Sequence, residues 1–316
     1  MKGAIMKTKR FTNFKKQLPL QTFVLIGMVY LFLFSFIPMI GIIISFKDYT
    51  IMSGPLGMFT SKWVGFSYFK EFFTDYEFPI LLKNTIGISL LKIIFTFPIP
   101  IIFAIMLNEI KCGPFKKITQ TASYLPHFIS WVIVSGISFQ FLSSQGVINT
   151  MLTGLHLVKQ PVPFLSDPGC YWGLAVLSDV WKEMGWWAII FLAAISGISQ
   201  DLYEAAEMDG ASRMQRIWHV TLPGIKSTVI VVLILALGNL FGGGLSGSNF
   251  EQSYLLGNNI NNSASEIIQT YVFKVGLSQG RFAYATAVGL FQSLISLILI
   301  FASNFFSKKF AGQGLF

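Results

Sequence analysis

One polar stretch interrupts two long apolar runs: Asp201-Leu-Tyr-Glu-Ala-Ala-Glu-Met-Asp-Gly-Ala-Ser-Arg-Met-Gln-Arg-Ile-Trp-His-Val-Thr-Leu222, followed by Pro223. Asp201 can cap a short helix over 202–208, because its carboxylate can accept hydrogen bonds from the first backbone N–H groups. Gly210 can end that helix, since glycine adopts the left-handed conformation of a helix stop without strain. The stretch therefore predicts a short helix that ends in a sharp turn.

A second short helix is predicted to follow the turn. Ser212 and Gln215 have the spacing of a capping box, in which each side chain satisfies a free backbone N–H group. Pro223 is expected to stop this helix about two turns further on. Apolar residues at i, i+3, i+4 and i+8 share one face of the stretch: Met214, Ile217, Trp218 and Leu222. That face is bulky enough to enter a groove on a partner protein.

The composition of this chain is that of a membrane protein. Of its 316 residues, 53% are hydrophobic and only 12% are charged, which excludes an ordinary soluble surface. Six apolar runs are long enough to cross ~30 Å of hydrocarbon as helices; they cover 20–46, 84–109, 128–143, 171–198, 225–242 and 283–306. The sequence therefore predicts an all-α integral membrane protein with six transmembrane helices.

Lysine and arginine are distributed unevenly between the two sides of this topology. Fourteen of the 23 lie on the side that holds both termini and the polar stretch, and seven lie on the other side. Basic residues favour the cytoplasmic side, so both termini and the polar stretch are predicted to be cytoplasmic. This bias accounts for the net charge of +9, and we expect no nucleic acid as a partner.

The polar stretch also resembles the EAA loop of permeases from binding-protein-dependent ABC importers. The matching positions are Glu204-Ala205-Ala206, Gly210, Ile217 and Leu222-Pro223. Two further segments, Ser123–Trp131 and Tyr284–Gln292, resemble maltose-type sugar permeases, especially the branch that imports complex oligosaccharides. The resemblance implies the fold of a type I ABC importer permease over residues 80–305.

What the resemblance implies for the loop is a docking role. In this family the loop is cytoplasmic and inserts a helix into a cleft of the ATPase subunit. Glu204 is then a polar contact that fixes the loop, and Gly210 is the turn between its two helices. The implied coupling residues are Glu204, Ala205, Ala206, Asp209, Gly210, Met214, Ile217, Trp218, Leu222 and Pro223.

The family resemblance also predicts the remaining parts of a transport system. The chain lacks a G-x-x-x-x-G-K-[ST] phosphate loop, so ATP and Mg²⁺ are expected on two partner ATPase subunits, and no cofactor or metal is expected here. The other expected partners are a second, homologous permease subunit in a heterodimer, an extracellular solute-binding protein and an oligosaccharide. The location is the cytoplasmic membrane of a bacterium.

Along the chain, four regions are expected. These are a cytoplasmic segment 1–19, a first helix with an aromatic outer loop 20–79, the permease core 80–305, and a cytoplasmic tail 306–316. A short interfacial helix is predicted around 67–76, where aromatic residues cluster. Pro98 and Pro100 should kink the second span, and the glycine- and asparagine-rich segment 243–282 is predicted to be the most flexible part.

A charged and aromatic segment in the fourth span is the candidate substrate path. Asp179, Lys182 and Glu183 are costly in a membrane unless they pair or face water, and Lys182 can offset one of the two carboxylates. Tryptophan rings suit the apolar faces of sugars, and charged groups suit their hydroxyls. The predicted residues are Asp179, Trp181, Lys182, Glu183, Trp186, Trp187 and, from the fifth span, Asn239. An interfacial aromatic belt with an internal ion pair is the alternative interpretation.

Two polar residues elsewhere in the spans have open interpretations. Lys92 can face the same cavity or extend its stem toward the membrane surface, and its depth below Asn84 favours the second. Asn239 can join two helices or bind a ligand in the cavity.

Other classes of function remain as alternatives. An ABC permease for a solute other than a sugar would have the same loop. An ion-coupled secondary transporter needs acids deep in the membrane, for which Asp179 and Glu183 qualify weakly. A membrane enzyme would need a catalytic pair, and the sequence offers none, so we do not expect an enzyme.

Overall fold

The structure, a computed structural model, describes residues 2–312 and Gly314. The end of the predicted tail 306–316 and the basic side chains between Lys2 and Lys16 lie outside the described part. The first helices are α1 (Lys2–Leu31), α2 (Ile37–Ile40), α3 (Gly54–Thr60), α4 (Ser67–Thr74), α5 (Phe78–Thr96) and α6 (Pro98–Glu109). Among described residues the sole strand-like pairing is an isolated bridge between Lys47 and Trp63.

The remaining helices continue the all-α architecture. The middle ones are α7 (Gly113–Tyr124), α8 (Trp131–Leu142), α9 (Val147–Gly154), α10 (Pro168–Ser196), α11 (Gln200–Met208) and α12 (Arg213–Arg216). The last ones are α13 (Leu222–Gly238), α14 (Asn249–Leu256), α15 (Asn262–Ser265), α16 (Ile268–Phe273) and α17 (Phe282–Ala311). Short π-helical turns cover Phe32–Phe36, Ile217–Thr221 and Lys274–Ser278.

The described residues supply six helical candidates for membrane spans. Five are long and apolar enough by length and composition: Gln17–Phe46, Phe78–Glu109, Trp131–Gly154, Arg213–Gly238 and Phe282–Lys309. The sixth is α10, whose 29 residues reach about 44 Å at 1.5 Å per residue. It meets the same criteria together with α11, from which a 70° bend separates it, and the three charged residues that it carries are buried. The predicted fold class is therefore confirmed.

Spans two, four and five form the core of the bundle. Ala104 of α6, Phe191 of α10 and Ile225 of α13 meet in one buried cluster. The second span is interrupted at Phe97, immediately before Pro98, as the two prolines predicted. In contrast, residues 17–40 are almost entirely exposed, and the first span meets α17 through its last turn, Gly41–Phe46.

The fifth crossing is broken near the middle of the bundle. α13 ends at Gly238, and the following loop uses positive φ angles at Gly243 and Gly244 of 106° and 69°. α14 then runs antiparallel to α10, since Ser248 bonds to Asp179 at 2.5 Å and Ser253 to Tyr171 at 3.1 Å. An irregular backbone is tolerated at this depth because it is buried in protein.

The prediction that 243–282 is the most flexible segment is wrong for much of its length. Asn249, Gln252 and Ser265 are each 1% exposed. Asn249 donates to Ser89 at 2.8 Å, and Gln252 donates to the carbonyl of Ala175 at 2.9 Å. The polar composition resembled that of a loop, but these side chains pair with neighbouring helices inside the bundle.

The end of the bundle away from residues 199–223, called the distal end, carries the predicted short aromatic helix. α4 matches the expectation for 67–76, yet it packs on α17 instead of only lying at an interface, because Phe72 is 1% exposed. Glu71 pairs with Arg281 at 2.6 Å. Burial, and next the nearby Asp48 carboxylate, raise the pKa of Tyr68, whose hydroxyl donates to Asp48 at 3.3 Å.

Candidate functional site

Residues 199–223, called the polar loop, form two short helices joined by a turn. The prediction that Asp201 caps the first helix is wrong, since Ser199 precedes it and takes the extended cap conformation. The Ser199 hydroxyl accepts a hydrogen bond from the Asp201 N–H at 3.3 Å. Asp201 instead lies in the first turn, where a carboxylate favours the positive end of the helix dipole.

The turn of the polar loop follows the sequence prediction. Gly210 has φ +78°, a region that other residues enter only with strain. The Ser212 N–H donates to Gln215 at 2.7 Å, and the Gln215 N–H donates to Ser212 at 3.4 Å. The predicted capping box is therefore present.

Pro223 does not stop the second helix, so that prediction is wrong. α12 continues through the π-helical turn Ile217–Thr221 into α13 without a break. In this wider turn the Leu222 N–H reaches back five residues to the carbonyl of Ile217. The extra residue makes room for a proline ring that an ordinary α-helix interior does not accept. The loop is thus continuous with the fifth span.

Two contacts hold the polar loop as one unit, and a third brings together the residues on either side of it. Glu207 of α11 pairs with Arg216 of α12 at 2.9 Å. Tyr203 bonds to Thr221 at 2.9 Å. The absence of a side chain at Gly224 gives room to Ile198. Together these contacts join the end of the fourth span to the start of the fifth.

Most predicted coupling residues are exposed on this loop. Met214 and Trp218 are each 62% exposed. Glu204, Ala205, Asp209, Gly210 and Pro223 are also exposed, whereas Ala206 and Ile217 are half-buried. Leu222 is different, because it packs against the buried core cluster and does not share the exposed face. Large exposed apolar side chains on a polar loop indicate a surface that a partner covers.

The charged segment of α10 is buried against the chain preceding α8. Glu183 is 4% exposed and accepts from His127 at 2.8 Å. Lys182 bonds to Glu183 at 3.2 Å and donates to the carbonyl of His127 at 2.6 Å. The indole of Trp131 lies 5.7 Å from the Lys182 ammonium. Lys182 therefore offsets one of the two carboxylates, as expected, and the one that it meets is Glu183.

The partner of Asp179 is Lys92. The two charged atoms are 3.6 Å apart, and the side chains are 0% and 1% exposed. Ser248 contacts both groups, at 2.8 Å from Lys92 and 2.5 Å from Asp179, and Thr96 donates to Asp179 at 3.2 Å. The preferred interpretation of Lys92 as a residue extending toward the surface is thus wrong. The pair joins spans two and four to the glycine break of span five.

The tryptophans of the predicted path have three different environments. Trp186 is 36% exposed and stacks on His127 with ring centres 4.2 Å apart and 2° between planes. Trp181 is 45% exposed. Trp187 is half-buried. Asn239 donates to the carbonyl of Gly244 at 2.9 Å, so its amide holds the glycine break.

The junction between α7 and α10 requires a glycine, which gives a first prediction. A β-carbon at Gly185 would overlap the backbone carbonyl of Ser123, whereas one at Gly173 of the same helix would meet nothing within 4 Å. Gly185→Ala should lower the free energy of unfolding by about 1–3 kcal/mol. Gly173→Ala, the matched control, should be neutral or stabilising by up to ~1 kcal/mol. Thermal unfolding in detergent measures both, and equal melting temperatures would contradict the assigned contact.

The comparisons with known proteins identify the family. The family described as "Binding-protein-dependent transport system inner membrane component" matches residues 96–312, well over half of the chain. This chain belongs to that family. The sequence resemblance is thereby confirmed, and the chain is a permease subunit of the ABC importer class that resides in a membrane.

Relatives and a solved structure extend the match across nearly the whole chain. Protein LplB of Bacillus subtilis is 46% identical over 291 residues, covering 92% of this chain and 88% of LplB. The polygalacturonan/rhamnogalacturonan transport system permease protein YteP of Bacillus subtilis is 43% identical, covering 93% and 88%. A crystal structure of a bacterial alginate ABC transporter, in complex with an alginate pentasaccharide-bound periplasmic protein, has a chain at TM-score 0.86 and 35% identity, covering 96% and 99%.

Sequence reasoning missed several residues of the charged site in this permease. His127 lies in the segment Ser123–Trp131, whose family resemblance marked the segment but not the contact with Glu183. Ser248 and Thr96 carry no sequence signal, since isolated hydroxyls are ordinary in membrane helices. Lys92, in the middle of the second span Phe78–Glu109, was the available signal, because a buried cation requires a buried anion.

Proposed function

We propose that this chain is one permease subunit of a sugar importer, which moves an oligosaccharide across the cytoplasmic membrane by alternating access driven by separate ATPase subunits. The observation that carries the proposal is the polar loop, an exposed unit of two short helices. It continues directly into the fifth span of this chain, which belongs to the permease family. Two similar proteins support the sugar class, since YteP is a permease protein of a polygalacturonan/rhamnogalacturonan transport system and the similar solved transporter is involved in alginate import.

The ATPase is assigned to partner subunits. The polar loop is the surface to which one of two ATPase subunits docks, with Met214 and Trp218 as its apolar contacts and Glu204 as a polar contact. ATP and Mg²⁺ bind to those subunits, because the chain has no phosphate loop. This arrangement places the loop and both termini in the cytoplasm, which agrees with the lysine and arginine bias.

The transport path is assigned to the space beside α10. Trp186 and His127 form a stacked, partly exposed surface, and the buried Lys182–Glu183 pair lies directly behind it. A second, homologous permease subunit forms the other wall in a heterodimer. An extracellular solute-binding protein delivers the sugar to the distal end. In support, the similar alginate transporter forms a complex with an alginate pentasaccharide-bound periplasmic protein.

Reconstitution tests this function. The chain is expressed with a homologous permease, an ATPase and a solute-binding protein from the same organism, and the complex is purified through a tag on this chain. We expect the ATPase to copurify, and binding protein loaded with an oligosaccharide to stimulate ATP hydrolysis and uptake into vesicles. The panel consists of oligosaccharides from polygalacturonan, rhamnogalacturonan and alginate, with amino acids as the non-sugar arm.

Each result of this assay is decisive. Stimulation only by a non-sugar solute would assign another substrate class to the same permease. Uptake by this chain alone, driven by an ion gradient without ATP, would show a secondary transporter instead.

A further inference from the structure

A polar cavity lies at the distal end, away from the charged segment of α10. It has a volume of ≈ 330 Å³ and is formed by α14, α15, α16 and the turns between them. Hydroxyl, amide and aromatic side chains line it, together with an acid and a base. None of these residues belongs to the predicted substrate path, and the segment was expected to be a flexible loop.

Fixed structure surrounds this cavity. Asn261 is 1% exposed and donates to the carbonyl of Leu165 at 2.9 Å, and Asn258 donates to the same carbonyl at 2.9 Å. The indole of Trp172 donates to the carbonyl of Ala264 at 3.1 Å. These bonds attach the cavity wall to the start of α10. The cavity is therefore a preformed part of the fold and not a gap in a mobile loop.

The aromatic side of the cavity is an exposed platform. Tyr254 is 55% exposed, and its ring packs edge-on against Phe273 at 5.2 Å and stacks with Phe250 at 5.6 Å. The two phenylalanines hold the tyrosine ring in one orientation. A rigid, half-exposed ring offers contact area at low entropic cost.

The polar side of the cavity keeps hydrogen-bonding groups free for a ligand. Glu266 is 9% exposed and binds Lys274 at 3.1 Å and Asn262 at 2.8 Å. The Lys274 ammonium has three donors and is half-exposed. Asn259 is exposed at the rim. An aromatic face opposite amide, ammonium and hydroxyl groups matches a sugar ring, which has apolar C–H faces and polar edges.

The cavity is aligned with the buried charges of the core. α14 begins beside Ser248, which contacts Asp179, and its outer residues Ser253 and Tyr254 line the cavity. Eight residues separate the two ends by about 12 Å. One helix thus connects the distal cavity with the glycine break in the middle of the bundle.

We propose that the distal cavity is a saccharide subsite, which binds one sugar residue of the oligosaccharide before the rest enters the bundle. This inference rests on the proposed function and adds a binding site to it. A small concave volume with inward-facing polar groups fits one sugar ring better than a protein surface, because a stable protein contact buries roughly 1,200 Å² or more.

Saturation-transfer NMR tests the subsite directly. The complete transporter is held in lipid nanodiscs without its binding protein, and the probes are galacturonan pentasaccharide, rhamnogalacturonan oligosaccharide and alginate pentasaccharide. Tyr254→Ala should weaken binding of the responding probe about fivefold, and Tyr254→Phe should retain it because the ring remains. Tyr76→Ala is the matched control, since Tyr76 is an 80% exposed tyrosine outside the cavity.

The outcomes separate the subsite from the proposed function. Equal binding by wild type and Tyr254→Ala, with normal uptake by both, would overturn the subsite and leave the importer intact. If the wild-type transporter neither binds any probe in the NMR experiment nor takes up any of them, both the subsite and the proposed sugar-importer function are overturned. If Tyr254→Ala leaves sugar binding unchanged but weakens the stimulation of ATP hydrolysis by the binding protein, the cavity is a protein-docking surface instead.

Discussion

Asp179→Ala is expected to lower the free energy of unfolding by about 3–5 kcal/mol, because it leaves the Lys92 ammonium buried without its counter-charge. The carboxylate accepts contacts from Lys92, Ser248 and Thr96, so three parts of the chain lose a shared partner. The measurement is the loss of folded protein in detergent with rising temperature or added denaturant.

A second variant shows whether the cost comes from the unpaired charge. Lys92→Met combined with Asp179→Ala should recover much of the lost stability, since an apolar side chain of similar length replaces the isolated cation. Glu71→Ala is the matched control: it breaks an ion pair whose side chains are 45% and 42% exposed and should cost no more than about 1 kcal/mol. If the double variant is no more stable than Asp179→Ala alone, the result argues against a direct pair between Lys92 and Asp179.

Glu204→Lys is expected to reduce copurification of the ATPase and uptake by about 100-fold, because reversing a charge at a docking surface costs several kcal/mol. Glu204 is exposed, so the variant should remain folded and inserted. Gly210→Pro should act through the backbone, since proline requires φ near −65° whereas Gly210 has φ +78° and an N–H that donates to Glu207.

An exposed acid on α14, outside the polar loop, provides the control for this experiment. Glu251→Lys makes the same charge change in an exposed residue of α14 and should copurify the ATPase like wild type. The coupling assignment fails if Glu204→Lys transports and retains its ATPase normally.

Local rules were sufficient for the spans and for the turn of the polar loop. Six apolar runs predicted six helical crossings, and the positive φ of Gly210 and the Ser212–Gln215 box depend on a few neighbouring residues. The rule that proline stops a helix is equally local, and at Pro223 it predicted a helix end that the structure does not have. A π-helical turn contains one residue more than an α-helical turn between its hydrogen-bonded groups. The identity of Pro223 alone does not show that such a turn precedes it.

Pairing within the bundle could not be read from spacing along one helix. Asp179 and Lys182 share a face at i and i+3, yet Asp179 pairs with Lys92 of α5 and Lys182 pairs with Glu183. The charge on Lys92 indicated that a buried anion was needed, but which acid it met depended on how α5 packs on α10. The glycine break likewise looked like a surface loop, since composition does not distinguish polar residues in water from polar residues paired inside protein.

The uninterrupted passage from the polar loop into the fifth span makes that segment a lever. Arg213–Gly238 contains 26 residues, an arm of about 39 Å, so a tilt of about 10° at the loop end displaces the other end by about 7 Å. That other end is the glycine break beside Asp179. The helix therefore ends at the glycine break, beside the buried charges. The displacement caused by a small rotation at the loop end is largest at that point.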